Sequence, residues 1–151
     1  FGGGVGLVAC CDIAIGTPDS KFGLTESKLG LLPAVISPYV IAAIGPRQAR
    51  RYFATAEIFG ADEALRIGLL HQVVATADLD GAVQRQVDHL LKAGPGAAAA
   101  AKSLVRRVAA GGESRAIDAA NADLIATLRV SAEGQEGLAA FLEKRKPAWC
   151  G

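Results

Sequence analysis

Methionine is absent from all 151 residues, and the chain opens on Phe1-Gly2-Gly3-Gly4. Because a glycine-rich turn of this kind usually follows a strand, the sequence is read as the carboxy-terminal part of a longer chain. Cysteine is scarce: Cys10, Cys11 and Cys150 make an odd count without a Cys-x-x-Cys spacing. That argues against a disulfide framework or a zinc site and points to a reducing, cytoplasmic setting. An excess of either charge is missing too, with 16 Lys and Arg against 15 Asp and Glu, so no basic field recruits nucleic acid or an anionic membrane. Asp12, Asp19 and Lys21 interrupt the apolar opening stretch, and no run reaches the roughly 18 to 20 residues of a membrane span. No metal is expected, since neither His71 nor His89 has a partner at ligand spacing, and Ser37 lacks the context of a nucleophile elbow. A small-molecule substrate is the partner left standing.

What the chain does have is 51% apolar residues, enough for a sizeable core in one domain of ordinary length. Val5 to Cys11 fits a short buried helix starting at the glycines, Asp12 to Gly16 a short buried strand, and Phe22-Gly23-Leu24 another extended piece. Glu26 follows on a loop. From Ser37 the pattern turns helical: Ser37 as N-cap with Pro38 at the first position, then Gly45-Pro46 closing that helix and opening the next. Gly60 to Ile67 reads as a helix stopped at Gly68, and Leu69 to Val74 as a strand. Helices are expected from Asp78 or Asp80 to Lys92, from Pro95 to Ala109, from Ser114 to Arg129 and from Ser131 to Leu142. The order, α/β first and all helix afterwards, predicts a layered α/β core with a helical tail.

Two places can carry chemistry. A helix starting at Gly2 to Gly4 leaves backbone N–H groups unpaired and partly positive, able to hold an anion or a developing oxyanion, although close helix-to-sheet packing is the commoner reason for such glycines. Glu26 lies between Gly23 and Gly30 among apolar residues, a setting suited to a partly desolvated proton-transfer group. On spacing alone, a surface carboxylate paired with Lys28 or Lys21 is the commoner arrangement. Cys10 and Cys11 read as small core residues.

The stretch Phe1-Gly2-Gly3-Gly4-Val5-Gly6-Leu7 through Cys11-Asp12-Ile13-Ala14 resembles the first signature of the crotonase (enoyl-CoA hydratase/isomerase) superfamily. Phe22-Gly23-x-x-Glu26-x-Lys28-Leu29-Gly30-x-x-Pro33 resembles its second, and the ending Glu136 to Pro147 falls in the family's order and spacing. The resemblance covers essentially the whole chain. It implies an α/β, crotonase-like (ClpP/crotonase) layered spiral core, present here in part. Residues 1–75 would hold the core and catalytic signature, and residues 76–151 a helical tail for oligomerisation and CoA contact.

By position, the Gly3 N–H matches one of two donors to the thioester oxygen, the other lying outside this sequence. Glu26 matches the second catalytic glutamate. Gly4, Gly6, Pro33, Phe141 and Lys144 match substrate-contacting positions. The implied partners are an acyl-CoA thioester and further copies of the chain, as a homotrimer or homohexamer. No separate cofactor is implied, coenzyme A being part of the substrate. Gly6 departs from the pattern, because typical hydratases carry their first catalytic glutamate there. It is read as leaving room for a branched or carboxylated acyl chain or a water. Gly-Gly-Gly-Val-Gly together with Ile36-Ser37-Pro38-Tyr39-Val40 resembles a bacterial branch acting on methylglutaconyl-CoA or isohexenylglutaconyl-CoA in leucine or terpene breakdown. The expected activity is hydration of a 2-enoyl-CoA, with enoyl-CoA isomerisation by a single glutamate or non-catalytic CoA binding as alternatives. The 151 residues alone are expected to be inactive.

Overall fold

The computed structural model describes residues 1–151 and groups them into two packed units, Phe1–Gln84 and Arg85–Gly151. In the first unit, helix α1 (Gly3–Cys10) is followed by strands β1 (Ile15–Gly16) and β2 (Lys21–Gly23) and a 3-10 turn at Thr25–Leu29. Then come α2 (Ser37–Thr55), β3 (Ile58–Gly60), α3 (Ala61–Arg66), β4 (Gln72–Val73) and the start of α4 (Leu79–Lys92). β1 pairs with β4 in parallel, and β2 pairs with β3 antiparallel, Phe22 opposite Phe59. The α/β character expected from the sequence is present, carried by very short strands.

The core gathers Val5, Leu24, Val40, Tyr52, Phe59, Ala64 and Leu69, all buried. Phe59 sits at its centre, with ring centroids 4.3 Å from Tyr52 and 5.8 Å from Phe22. The anticipated break at Gly45-Pro46 is real: Gly45 is non-helical (φ 75°, ψ 160°), and two helical runs meet there. Five expectations need correction. Cys10 and Cys11, read as small core residues, are both exposed, the buried positions of α1 being Val5 and Gly6. The strand foreseen at 69–74 shrinks to Gln72–Val73, because the Leu69 and Leu70 N–H groups turn back onto the Ala64 carbonyl, at 2.9 and 3.1 Å. The one foreseen at 12–16 shrinks to Ile15–Gly16. Ser37 is not the N-cap of α2: Ile36 holds that place, and the Ser37 hydroxyl donates to Ala34 O at 2.8 Å. Glu26 lies inside the 3-10 turn, not on an open loop.

His71 joins β1 to β4: its N–H donates to Ala14 O at 2.8 Å, and its Nδ1 accepts the Ala14 N–H at 3.0 Å. Its role is structural, as read from the sequence.

The second unit holds the rest of α4, α5 (Pro95–Ala109), α6 (Ser114–Val130) and α7 (Ala132–Leu142). Pro95 opens α5 as foreseen, and the Glu133 carboxylate of α7 accepts the exposed first-turn N–H groups of Gly96 and Ala97 at 2.9 and 2.8 Å. Ser131 caps α7 by accepting the Gly134 N–H at 3.0 Å. Beyond α7, Arg145 grips Glu136 through two nitrogens at 2.6 and 2.9 Å. The Trp149 indole donates to Lys92 O at 3.2 Å.

A polar clamp closes the first unit. The Tyr52 hydroxyl donates to Glu63, which also accepts from Arg66 (Nε to Oε2, 2.5 Å), while Arg51 bridges to Glu57 at 2.7 Å. Arg66, with Tyr52, holds the Glu63 carboxyl down at about 2. Burial and the same carboxylate push the Tyr52 hydroxyl up to about 12. Tyr52→Phe keeps the ring against Phe59 but removes a bond to an ionised acceptor, and is expected to cost about 1.5–3 kcal/mol in urea denaturation at neutral pH. Glu63 has a folded value below its unfolded one of about 4.3, so its contribution is present above that value and lost as pH falls toward 2. The acid limb of the stability profile should therefore be flatter in Tyr52→Phe than in the parent.

Candidate functional site

The glycine opening resolves into one free donor. The Gly2 N–H donates to Gly23 O and the Gly4 N–H to Phe1 O, both at 2.9 Å. The Gly3 N–H, at the first position of α1, makes no hydrogen bond within the protein. Gly2 precedes the helix with φ 50° and ψ −120°, a conformation that glycine tolerates. No atom beyond its own chain neighbours and helix backbone lies within 4 Å of where a Gly3 or Gly4 side chain would begin, so the donor stands beside open space.

Glu26 is brought to the same spot. A Cβ placed on Gly2 would lie 3.3 Å from Glu26 Oε1, so the carboxyl group rests against the backbone that starts α1. The surface ion pair allowed by spacing does not form: Glu26 bonds neither Lys21 nor Lys28. Its Oε2 is shielded from solvent and has no partner, and the neighbouring Ser27 hydroxyl is likewise unpartnered. Buried polar atoms are nearly always satisfied, and two orphans in one turn mark a place built for something other than stability. A free N–H at a helix start and an unpaired carboxyl group beside it can do two things together. The first stabilises negative charge on a carbonyl oxygen, and the second takes or gives a proton nearby.

The space expected beside Gly6 is absent. Gly6 is buried, and a Cβ built on it would lie 2.3 Å from Ile36 Cγ2 and 2.8 Å from Ile36 Cβ. Ile36 is thus the residue that sequence reasoning missed. Pro33 is buried three residues before it. In the second unit, Phe141 lies near the end of α7 with its ring 79% exposed, and Lys144 follows, exposed, at φ 54°. No cluster of three His, Cys, Asp or Glu side chains is arranged to hold a metal ion.

Residues 1–151 match the family model described as enoyl-CoA hydratase/isomerase. The chain is 34% identical over 150 residues to the crotonyl-CoA hydratase of Syntrophomonas wolfei, covering 97% of this chain and 56% of that protein. Among solved structures it is similar to an enoyl-CoA hydratase from Shewanella pealeana, with a TM-score of 0.94 and 48% identity over 99% of this chain and 56% of the other. It is also similar to Pseudomonas aeruginosa AtuE, with a TM-score of 0.94 and 43% identity over 99% of this chain and 58% of that one. The chain therefore spans little more than half the length of these relatives.

The fit of Gly6 to Ile36 has a measurable cost when broken. Gly6→Ala forces a methyl group into a stiff β-branched neighbour and is expected to destabilise the fold by about 1–3 kcal/mol. Chemical denaturation should show most of that loss relieved when Ile36→Ala is added, a coupling that independent sites would not give.

Proposed function

Because the chain belongs to the enoyl-CoA hydratase/isomerase family and has its crotonase-like α/β fold, we propose that the protein hydrates a 2-enoyl-CoA thioester, with Glu26 as acid/base. The observation that carries the reading is the pairing of the free Gly3 N–H with the unpartnered Glu26 carboxyl against Gly2. The thioester oxygen accepts from Gly3 and from a second donor supplied by the protein outside these 151 residues. Water then adds across the double bond: its oxygen bonds to C3, the π electrons move toward C2 and the thioester oxygen, and C2 takes a proton. Glu26 takes the proton from water and returns one to C2, so it leaves the cycle unchanged. Each oxyanion donor contributes about 3–4 kcal/mol to lowering such a barrier. No group beyond water and the thioester is needed.

The acyl group is read as branched and 3-methylglutaconyl-like, as in leucine breakdown, supported by the Ile36-Ser37-Pro38-Tyr39 stretch. Gly4 and Pro33 would line its path, and Phe141 and Lys144 would meet the CoA adenine and phosphate. A homotrimer or homohexamer in the cytoplasm belongs to the same reading, supported by exposed Phe141 and Leu142 at the end of α7.

The close packing of Ile36 on Gly6 favours a second reading, enoyl-CoA isomerisation. There Glu26 removes a proton from C2 of a 3-enoyl-CoA and delivers it to C4, and no water is consumed. Full-length protein carrying Glu26→Gln should lose at least about 100-fold in kcat on 3-methylglutaconyl-CoA, and parent-like turnover would remove Glu26 from the mechanism. Incubation of the parent with a 3-enoyl-CoA in deuterated water separates the two reactions. Double-bond migration without 3-hydroxyacyl product selects the isomerase. Absence of turnover on any acyl-CoA leaves a non-catalytic acyl-CoA-binding protein.

A further inference from the structure

Gly2 and Gly6 stand four residues apart at the start of α1, the Gly6 N–H directed to Gly2 O at 3.3 Å. Neither contributes a side chain, and each is covered by one side chain from elsewhere: Gly2 by Glu26 Oε1, Gly6 by Ile36 Cγ2. The carboxyl group proposed to move the proton and a branched aliphatic group thus rest against backbone positions linked by one hydrogen bond.

We infer that Ile36 is a specificity-determining residue of the Glu26 site, an apolar wall beside Gly6 that favours an acyl chain carrying a methyl branch at C3. The inference rests on the acyl-CoA reading of that site. Ile36 is fixed in place: its carbonyl accepts the Val40 N–H at 3.0 Å, its side chain packs against the buried core, and its β-branch restricts rotation. Its own stretch of chain offers nothing to a charge. From Leu29 to Pro46 the sequence has no Asp, Glu, Lys, Arg or His, and Leu32 and Val35 beside Ile36 are exposed apolar residues. A carboxylate pressed against this wall would give up hydration without gaining a cation. A methylglutaconyl-type group therefore fits with its methyl branch toward Ile36 and its carboxylate directed elsewhere.

The test uses full-length protein and two variants of nearly identical shape, Ile36→Val and Ile36→Thr, which differ by a methyl group exchanged for a hydroxyl. Two probes that differ only in the branch are compared, 3-methylglutaconyl-CoA and glutaconyl-CoA. kcat/KM is measured for turnover and Kd by calorimetry. The ratio of 3-methylglutaconyl to glutaconyl preference is expected to fall at least about 5-fold from Ile36→Val to Ile36→Thr. Any loss of folded protein cancels in that ratio. Equal ratios within twofold, with turnover intact, would overturn the role of Ile36 and leave the reaction standing. Binding without turnover in the parent would remove the reaction, while the Kd ratios still decide the wall. If neither probe binds, both fall.

Discussion

The start of α1 admits nothing larger than hydrogen at two of its positions. A side chain at Gly2 would press on Glu26 while adopting an unfavourable φ, and one at Gly6 would overlap Ile36. The thinness of this helix face lets two separate segments, the 3-10 turn carrying Glu26 and the entry to α2 carrying Ile36, close onto the same backbone. The Gly2 N–H to Gly23 O bond then ties α1 to the end of β2, three residues before Glu26. β2 is in turn paired with β3, whose Phe59 lies under Tyr52 and Phe22. The position of one carboxyl group is therefore inherited from the aromatic centre of the core.

The treatment of polar groups elsewhere makes the site stand out. Glu63 has Tyr52 and Arg66, Glu57 has Arg51 and Thr55, Glu133 has two backbone donors, and Glu136 has Arg145 and the Ala148 N–H. Arg145 and the Ala148 N–H hold the Glu136 carboxyl at about 2. Around Glu57, Glu63 and Glu136 these neighbours favour the charged form, which suits a clamp and spoils a proton carrier. Glu26 is the contrasting case, with no cation and no donor on its inner oxygen. A group left unsatisfied within the protein is open to being satisfied by what binds there.

Helices were legible wherever their signals were local. Pro95 with the alanine run set α5 to the residue, Ser131 marked α7, and Gly45-Pro46 marked the bend in α2. Strands were misjudged because their pairing is set by distant partners: β3 was not foreseen at all, and the anticipated strand before Gln72 lost its first residues to bonds made back to Ala64. Of the candidate site, Gly3 and Glu26 were found through two signatures, since spacing alone favoured a surface ion pair for Glu26. Ile36 carried no signal of its own. Its importance comes from complementarity with a glycine thirty positions earlier, and a glycine in sequence looks the same whether the space beside it is empty or filled.

That filled space changes the chemistry available. With a second carboxylate at position 6, one group would activate water while the other protonated carbon. With Ile36 there, the proposed reaction leaves a single carboxylate to do both, and its inner oxygen is shut off from solvent. The proton taken at one carbon or from one water then has few routes away, which favours its return to the same acyl group. Under the proposed reactions, hydration asks for a 2-enoyl chain with a water against Glu26, whereas isomerisation asks for a 3-enoyl chain and no water.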